Sequence, residues 1–273
     1  MLERFTVVIK GGGDLGTGVA WRLCRVGMRV LVTELPRPLV IRRAVAFASA
    51  VYEGAITVEG ITARLVQNDA AVEAAWARGE VPVLVDPEGA VIGRLRPLVV
   101  VDAIMAKRNT GTHRGDAPIV IGLGPGFVAG RDVDAVIETK RGHFLGRAIY
   151  EGPAQPNTGV PGDVRGETAR RVVRAPAAGR FHAHRRIGDR VRAGDLLAEV
   201  DGVPVRSPLD GVLRGLLADG LEVTSGMKVG DVDPRGVVEH CFTISDKALA
   251  VGGGVLEAIL VLARRKGVGA PDG

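Results

Sequence analysis

The segment that most constrains this chain is the glycine loop, residues 11–16 (Gly-Gly-Gly-Asp-Leu-Gly), which fits the pattern G-x-G-x-x-G. Before it, Phe5 to Ile9 is a continuous apolar run typical of a buried strand. After it, residues 15–26 repeat apolar side chains with a helical period and stop at Gly27, a residue type favoured at helix ends. Glycines between a strand and a helix let the backbone approach a phosphate, which the free N–H groups of the helix N-terminus stabilise. The sequence therefore predicts a phosphate-binding loop here.

The predicted cofactor contacts of this loop are Gly11, Gly13, Asp14 and Gly16, and Glu34 is predicted to join them. Residues 28–33 are predicted to form the second strand, and an acidic residue at its end is placed to hold a ribose hydroxyl. Asp14 would repel a phosphate unless its carboxylate points away. A glycine turn that only lets helix and strand pack closely is the alternative interpretation.

Strands and helices alternate through the first half of the chain. Further strands are predicted at residues 81–85, 98–101, 119–121 and 135–138, and further helices at 38–51 and 69–78. Alternation of this kind favours the α/β class with a parallel sheet. We therefore predict a Rossmann-like nucleotide- or cofactor-binding domain over residues 1–152.

Two further loops are expected at the same edge of this sheet, because ligands of open α/β sheets collect at the carboxyl ends of the strands. The polar run 102–112 contributes Lys107, Asn109 and Thr110 as contacts for anions and hydroxyl groups. The loop after the next strand contributes Gly124 and Gly126. Solvated loops with ordinary turn residues are the alternative.

Three side chains are candidates for catalysis: Lys107, His143 and Cys241. His143 ends the run 138–143, which places a carboxylate, a cation and an imidazole close together, as acid–base chemistry requires. A charged hairpin tip is the alternative for this run. The Cys241 thiol follows His240 and could be activated as a nucleophile, or it could be a small buried apolar group on a strand.

A second domain is predicted after a linker rich in glycine and proline at residues 152–166. Residues 171–232 alternate short β runs with Gly-Asp and Asp-Gly turns, which is typical of a small all-β fold. The segment 167–235 resembles the barrel-sandwich fold of biotinyl and lipoyl domains, in which a lysine at a hairpin tip carries the cofactor. The matching tip, near Asp201-Gly202, has no lysine, so we expect a docking or covering module without a covalent cofactor.

The last segment, residues 236–266, is expected to form a strand and a C-terminal helix that pack back on the core. A serine or aspartate at 245–246 is suited to cap the helix. Three consecutive glycines at 252–254 are expected to interrupt or kink it, because glycine is a poor helix former.

Composition excludes several classes of protein. The formal charge of +5 comes from mixed basic and acidic residues, and aromatics make up only 4%, so we expect no nucleic-acid partner. Two cysteines are too few for a disulfide framework, and His182 and His184 have no nearby third ligand, so no metal site is expected. The start of the chain lacks a signal-peptide pattern, and no apolar stretch is long enough to cross a bilayer. We therefore expect a cytoplasmic protein without a membrane partner.

Taken together, the chain resembles the YqeB family, the selenium-dependent molybdenum hydroxylase system proteins, also described as selenium-dependent molybdenum cofactor biosynthesis proteins. The similarity runs from about residue 5 to residue 262. The segments that carry it are residues 9–14, 33–36, 41–43, 52–54, 102–112, 123–127, 138–143, 157–159, 230–234 and 244–247. The N-terminal unit is also similar to the Rossmann domain of xanthine dehydrogenase accessory proteins.

This resemblance implies an accessory protein for the maturation of molybdenum hydroxylases that need a labile selenium. It implies a molybdopterin-type cofactor or a nucleotide as ligand, and a hydroxylase apoprotein or another maturation factor as partner. With His240 beside it, the Cys241 thiol could be activated for sulfur or selenium transfer. The sequence leaves homo-oligomerisation open. It also leaves two alternative functions: a free-standing NAD(P)-dependent oxidoreductase, and a non-catalytic scaffold that docks a hydroxylase.

Overall fold

The computed structural model describes residues 2–157, 167 and 170–268. Contacts between residues divide the chain into two compact units. The first unit comprises Met1–Pro36, Phe47–Asn157 and Ile244–Gly273, and the second comprises Arg37–Ala46 and Thr158–Thr243. Most of the predicted linker 152–166, and residues 158–159 of the family resemblance, lie outside the described residues.

The first unit contains eleven strands and five helices among its described residues. The strands are β1 (Thr6–Lys10), β2 (Arg29–Glu34), β3 (Ala55–Val58), β4 (Ile61–Val66), β5 (Val81–Val85), β6 (Val99–Asp102), β7 (Ile119–Leu123), β8 (Val128–Ala129), β9 (Ala135–Ile137), β10 (Ala148–Ile149) and β11 (Gly152–Pro153). The helices are α1 (Asp14–Arg25), α2 (Ala50–Glu53), α3 (Asp69–Ala77), α4 (Ala90–Leu95) and α5 (Asp246–Lys266).

Nine of these strands form one mixed sheet in the order β10-β9-β7-β6-β1-β2-β5-β4-β3, and β8 pairs with β11 apart from it. The central strands β1, β6 and β7 are buried along nearly their whole length, as expected of parallel strands covered on both faces. Both edge strands run antiparallel to their neighbours, β3 to β4 and β10 to β9. The predicted fold class, with a Rossmann-like parallel sheet, is therefore wrong: the sheet is mixed.

The hairpin at one edge explains part of this error. Strands β3 and β4 are joined by Glu59 and Gly60, which both have positive φ angles, 43° and 83°. Two such residues form the tight turn that reverses a hairpin. Asparagine or aspartate before the glycine would be the usual signal, so the sequence pattern does not predict this reversal.

The helix predicted over residues 38–51 also differs from the structure. Residues 43–45 and 47–49 form single 3₁₀ turns, and only α2 continues as an α-helix. The residues 37–46 belong to the second unit, where the Ile41 carbonyl accepts a hydrogen bond from the Leu216 amide at 2.8 Å. The Arg42 guanidinium donates to the carbonyl groups of His240 and Thr243 at 3.0 and 3.2 Å. These tertiary contacts replace the hydrogen bonds of a helix.

Helix α5 runs without interruption through its three glycines, contrary to the expected kink. Two of them are needed for close packing. A Cβ atom on Gly252 would lie 2.8 Å from the Gly18 carbonyl oxygen of α1, and one on Gly254 would collide with the Gly146 carbonyl oxygen. Tight contacts with neighbouring backbone thus outweigh the poor helix propensity of glycine.

The second unit contains two four-stranded antiparallel sheets among its described residues. Their orders are β12-β19-β17-β14 and β16-β15-β13-β18. The predicted single barrel-sandwich is corrected accordingly to two small antiparallel sheets around one core. The strands are β12 (Val172–Arg174), β13 (Gly179–Ala183), β14 (Arg190–Val191), β15 (Leu196–Val200), β16 (Val203–Arg206), β17 (Gly211–Leu216), β18 (Glu222–Val223) and β19 (Lys228–Asp233).

The core of the second unit includes Phe181, Leu197, Leu213 and Leu216, all fully buried. Asp201 and Gly202 form the turn between β15 and β16, with φ angles of 46° and 82°. Residues 238–241 form a 3₁₀ turn and not the strand expected after residue 236.

The three glycines of α5 provide a matched test of this packing. We expect Gly253→Ala to stabilise the protein by up to about 1 kcal/mol, because its Cβ atom meets open space and alanine favours helix. We expect Gly254→Ala to destabilise it by about 1–3 kcal/mol through overpacking. Urea unfolding of both variants checks this, and equal effects of the two alanines would contradict the packing role of Gly254.

Candidate functional site

The candidate site lies at one edge of the nine-stranded sheet. Strands β1, β2, β6, β7 and β9 run parallel, so their carboxyl ends meet at this edge. The glycine loop follows β1, Glu34 ends β2, and the run 102–112 begins at the end of β6. Gly124 and Gly126 follow β7, and residues 138–143 follow β9. The edge thus collects every predicted site residue except Cys241.

Three glycines of the loop are required by their close neighbours. Gly11 has a φ angle of 95°, which favours glycine. A Cβ atom on Gly12 would lie 2.8 Å from the Ala48 nitrogen, and one on Gly16 would collide with the Gly11 carbonyl oxygen. The Ala48 amide donates to the Gly12 carbonyl at 2.9 Å. Packing against neighbouring backbone therefore shapes this part of the loop. This agrees with the alternative interpretation, in which the glycines serve to let helix and strand pack closely.

Gly13 differs from these three. It is the N-cap of α1, its φ angle of −62° is accessible to any residue, and no side chain caps the helix. The first-turn N–H groups of a helix have no partner within the helix and carry the positive end of its dipole. The start of α1 is therefore the part of the loop suited to an anion.

Glu34 holds the loop in place. Its two carboxylate oxygens accept hydrogen bonds from the amides of Gly12 and Leu35, both at 2.8 Å. Burial raises the pKa of the Glu34 carboxyl, and these two hydrogen bonds oppose that rise. Both carboxylate oxygens therefore accept hydrogen bonds from the backbone. The sequence had instead predicted that Glu34 holds a ribose hydroxyl.

A buried polar cluster of Lys10, Asp102 and Thr112 lies behind the loop. The Lys10 ammonium donates to the Thr112 hydroxyl at 2.7 Å, and that hydroxyl donates to the Asp102 carboxylate at 2.6 Å. Lys10 and Asp102 are also 4.0 Å apart and only 9% and 2% exposed. The sequence did not single out this set as a cluster, because no local pattern links residue 10 to residue 112.

The loop after β6 is ordered by Asn109. Its side-chain oxygen accepts from the amides of Gly111 and Thr112, both at 2.9 Å, so Asn109 shapes the loop. Lys107 and Thr110 are exposed. Lys107 and Met105 both have positive φ angles, 63° and 60°. Strained backbone conformations of this kind are found most often at functional sites.

Gly124 and Gly126 position neighbouring loops. A Cβ atom on Gly126, where φ is 116°, would lie 2.7 Å from the Arg108 nitrogen. One on Gly124, where φ is 71°, would collide with the Thr139 hydroxyl. Both glycines therefore allow the loops after β6 and β9 to approach the end of β7.

The run after β9 does not form the predicted acid–base group. The Glu138 carboxylate is buried and accepts from the amides of Lys140 and Gln155 at 2.7 and 2.8 Å. His143 is exposed and packs edge-on against Phe144, with ring centroids 5.0 Å apart. The carboxylate supports the backbone while the imidazole faces solvent.

Lys247 is the site residue that the sequence reasoning missed. It is half-buried in the first turn of α5, and burial lowers the pKa of its ammonium, while the negative charge of Asp14 opposes that change. The Asp14 carboxylate, which would repel an anion, therefore has a cation nearby. The only signal in the sequence was the segment 244–247 of the family resemblance.

Cys241 belongs to the second unit and is fully buried there. Its thiol lies 3.8 Å from the Leu213 carbonyl oxygen. Burial raises the pKa of the Cys241 thiol, although the nearby Arg214 opposes the rise. A relay needs an exposed thiolate, and this environment favours the protonated, inaccessible form.

Within the described residues, no group of three or more histidine, cysteine, aspartate or glutamate side chains is arranged to hold a metal ion. No helix in this part of the chain is long and apolar enough to cross a membrane.

The site thus combines a glycine loop with a helix start that no side chain caps, and both lie at the polar edge of a mixed α/β sheet. The chain is 53% identical over 256 residues to the uncharacterized protein YqeB of Escherichia coli strain K12, which covers 94% of this chain. This identity supports the assignment of the chain to the YqeB family. The chain spans about half the length of that curated relative, 47%.

No family model matches the chain. Among solved structures it is similar to the product-bound ectoine utilization protein EutE (DoeB) from Ruegeria pomeroyi, with 13% identity, 84% and 85% of the two chains covered and a TM-score of 0.26. It is also similar to TcdA (CsdL), with 13% identity, 96% and 89% coverage and a TM-score of 0.34. An aspartoacylase family protein from Mesorhizobium loti has 11% identity, 83% and 84% coverage and a TM-score of 0.26.

The polar cluster behind the loop can be tested by Thr112→Val. This substitution removes the hydroxyl that joins Lys10 to Asp102, and we expect it to destabilise the protein by about 1–3 kcal/mol. Thr57→Val is the control, since the Thr57 hydroxyl pairs with Thr62 at the surface and its loss should change stability by less than about 0.5 kcal/mol. Chemical denaturation measures both, and equal stability of the two variants would contradict a structural role for the cluster.

The two thiols can be tested by alkylation. Burial raises the pKa of Cys24 to about 12 and also raises that of Cys241. The reactive thiolate therefore forms only above the usual pH range of a cysteine. We expect both to react slowly with iodoacetamide in the folded protein from pH 6 to 9, and rapidly after unfolding. Fast labelling of folded Cys241 at pH 7 would restore it as a candidate relay.

Proposed function

We propose that this protein is an accessory protein in the maturation of selenium-dependent molybdenum hydroxylases. In this role it binds a molybdopterin-type cofactor or a nucleotide through the glycine loop. The resemblance to the selenium-dependent molybdenum hydroxylase system supports the pathway, and the identity with YqeB supports the family. The single observation that carries the binding step is the start of α1 at Gly13, which no side chain caps.

A phosphate group fits this helix start. The backbone at Gly13 adopts ordinary angles, so glycine is not needed there for conformation, whereas Gly11 has a positive φ angle and Gly12 packs closely on Ala48. Glycine at this position has no side chain that could cover the first-turn amides. These amides and the helix dipole are the features that bind phosphates in many proteins.

Exposed apolar side chains beside the loop offer contacts for a flat heterocycle, such as a pterin or a nucleobase. Ile104 and Leu35 follow β6 and β2, and their side chains are 42% and 47% exposed. A Cβ atom on Gly11 would lie 3.2 Å from the Ile104 Cα atom, so Ile104 directly adjoins the loop. Exposed apolar side chains next to an anion site suit a ligand with a phosphate at one end and a ring at the other.

Binding is tested with Gly13→Val. Valine can adopt the backbone angles of Gly13, and its side chain would stand beside the first-turn amides to which we propose that the phosphate binds. We expect the affinity to fall roughly tenfold or more, because each charge-assisted hydrogen bond to phosphate contributes about 1.5–3 kcal/mol. Calorimetric titration with inorganic pyrophosphate, CTP and molybdopterin measures the effect.

Gly93→Val is the matched control for this titration. Gly93 is exposed on α4, and a Cβ atom there would meet open space. It should bind like the wild type. If wild type and Gly13→Val bind equally, or if neither binds any probe, the glycine loop is purely structural.

The role in maturation is tested in cells. Deletion of the gene should abolish the activity of the selenium-dependent hydroxylase while the hydroxylase polypeptide accumulates. The wild-type gene should restore activity, and Gly13→Val should not, although the variant protein is present. Full hydroxylase activity in the deletion strain would overturn the proposed role.

A further inference from the structure

Lys247 owes its position to the contact between helices α1 and α5. A Cβ atom on Gly18 would lie 2.7 Å from the Ala248 Cβ atom, and one on Gly252 would lie 2.8 Å from the Gly18 carbonyl oxygen. A Cβ atom on Gly252 would also lie 3.4 Å from the Cβ atom of Arg22. Contacts therefore advance along both helices in the same direction. The first turn of α5, which carries Lys247, consequently lies beside the first turn of α1.

Charged groups from three elements face Lys247. They are Asp14 at the start of α1, Glu138 and Arg141 after β9, and Asp246 on its own helix. Arg141 and Asp246 form a two-pronged ion pair, with distances of 2.6 and 2.8 Å. Glu138 accepts two backbone amides. These three groups are thus largely engaged with one another or with the backbone.

The Lys247 ammonium itself interacts with these charges only through space. None of the described residues accepts a hydrogen bond from it or forms an ion pair with it. A half-buried ammonium loses part of its hydration, and that loss is normally offset by a bound acceptor. Burial lowers the pKa of Lys247, and the negative charges of Asp14, Glu138 and Asp246 offset that change only in part.

We propose that Lys247 forms an ion pair with the phosphate of the ligand that binds at the start of α1. The inference rests on the proposed function and adds a specific contact to it. The ammonium lies beside the helix start that lacks a cap, and it offsets the repulsion between Asp14 and a phosphate. A ligand without a negatively charged group would gain nothing from this ammonium, so Lys247 favours ligands that carry an anionic group such as phosphate.

The test compares Lys247→Met with the wild type in calorimetric titrations with inorganic pyrophosphate, CTP and molybdopterin. We expect Lys247→Met to lower the affinity roughly tenfold to a hundredfold, and Lys247→Arg to retain most of it. Lys228→Met, in the second unit, is the control and should bind like the wild type. The affinity of the wild type should also fall as the pH rises through the lowered pKa of Lys247, because the neutral amine has lost its charge.

Thermal unfolding separates binding from a structural role. A lowered pKa means that the folded state disfavours the ammonium relative to the unfolded chain, so stability rises as the pH approaches the ordinary pKa of lysine. Lys247→Met removes this penalty and should leave the melting temperature unchanged or higher. A clear decrease would show that Lys247 serves mainly to neutralise Asp14, and would overturn the proposal.

The remaining outcomes distinguish the two proposals. If the wild type binds a probe and Lys247→Met binds it equally well, Lys247 is not a ligand contact and the proposed function stands. If the wild type binds none of the three probes, the proposed function and this inference both fail. Should Lys247→Met not fold, acylation of the wild-type protein decides: the bound probe should protect Lys247 and leave Lys228 reactive, and equal labelling of Lys247 with and without the probe would contradict the contact.

Discussion

The first unit depends on the close contact between α1 and α5. Gly18 and Gly252 let the two helices approach until backbone atoms nearly touch, which a larger side chain at either position would prevent. This contact joins residues near the two ends of the chain, and it continues where Gly254 meets the carbonyl of Gly146. Close packing at small residues fixes position within fractions of an ångström, because packed interiors do not deform continuously. Packing at these glycines therefore holds the starts of the two helices together at the carboxyl edge of the sheet.

Local patterns in the sequence predict the elements of this edge well. The apolar run that became β1, the glycine loop and the helical period of α1 are each contained within a few neighbouring residues, and the structure has them in place. The direction of the outer strands was not predictable in the same way. The reversal at β3 depends on the turn at Glu59-Gly60, whose residue types are not those that usually mark such a turn.

The roles of the site residues were harder to predict than their positions. A carboxylate or amide in a loop has the same sequence signature whether its oxygens face a ligand or the protein backbone. Glu34, Asn109 and Glu138 all accept backbone amides, so they order the loops that a ligand would meet. Lys247 was missed for the opposite reason. Its neighbours in sequence are those of an ordinary first helical turn, and only the packing of α5 on α1 brings it to Asp14.

This division of roles bears on how an edge with several carboxylates can accept an anion. The charge of Asp102 is opposed by the Lys10 ammonium, and the Thr112 hydroxyl donates to it. Glu34 accepts hydrogen bonds from two backbone amides. The electrostatic potential in front of α1 therefore depends on more than the acidic residues. The first-turn amides of α1 and the positive charge of Lys247 also contribute to it. Because the field of a helix terminus weakens within one turn, a cation beside that turn adds most where the amides themselves act. An acidic residue in the loop is therefore compatible with a phosphate, provided that α5 stays packed against α1.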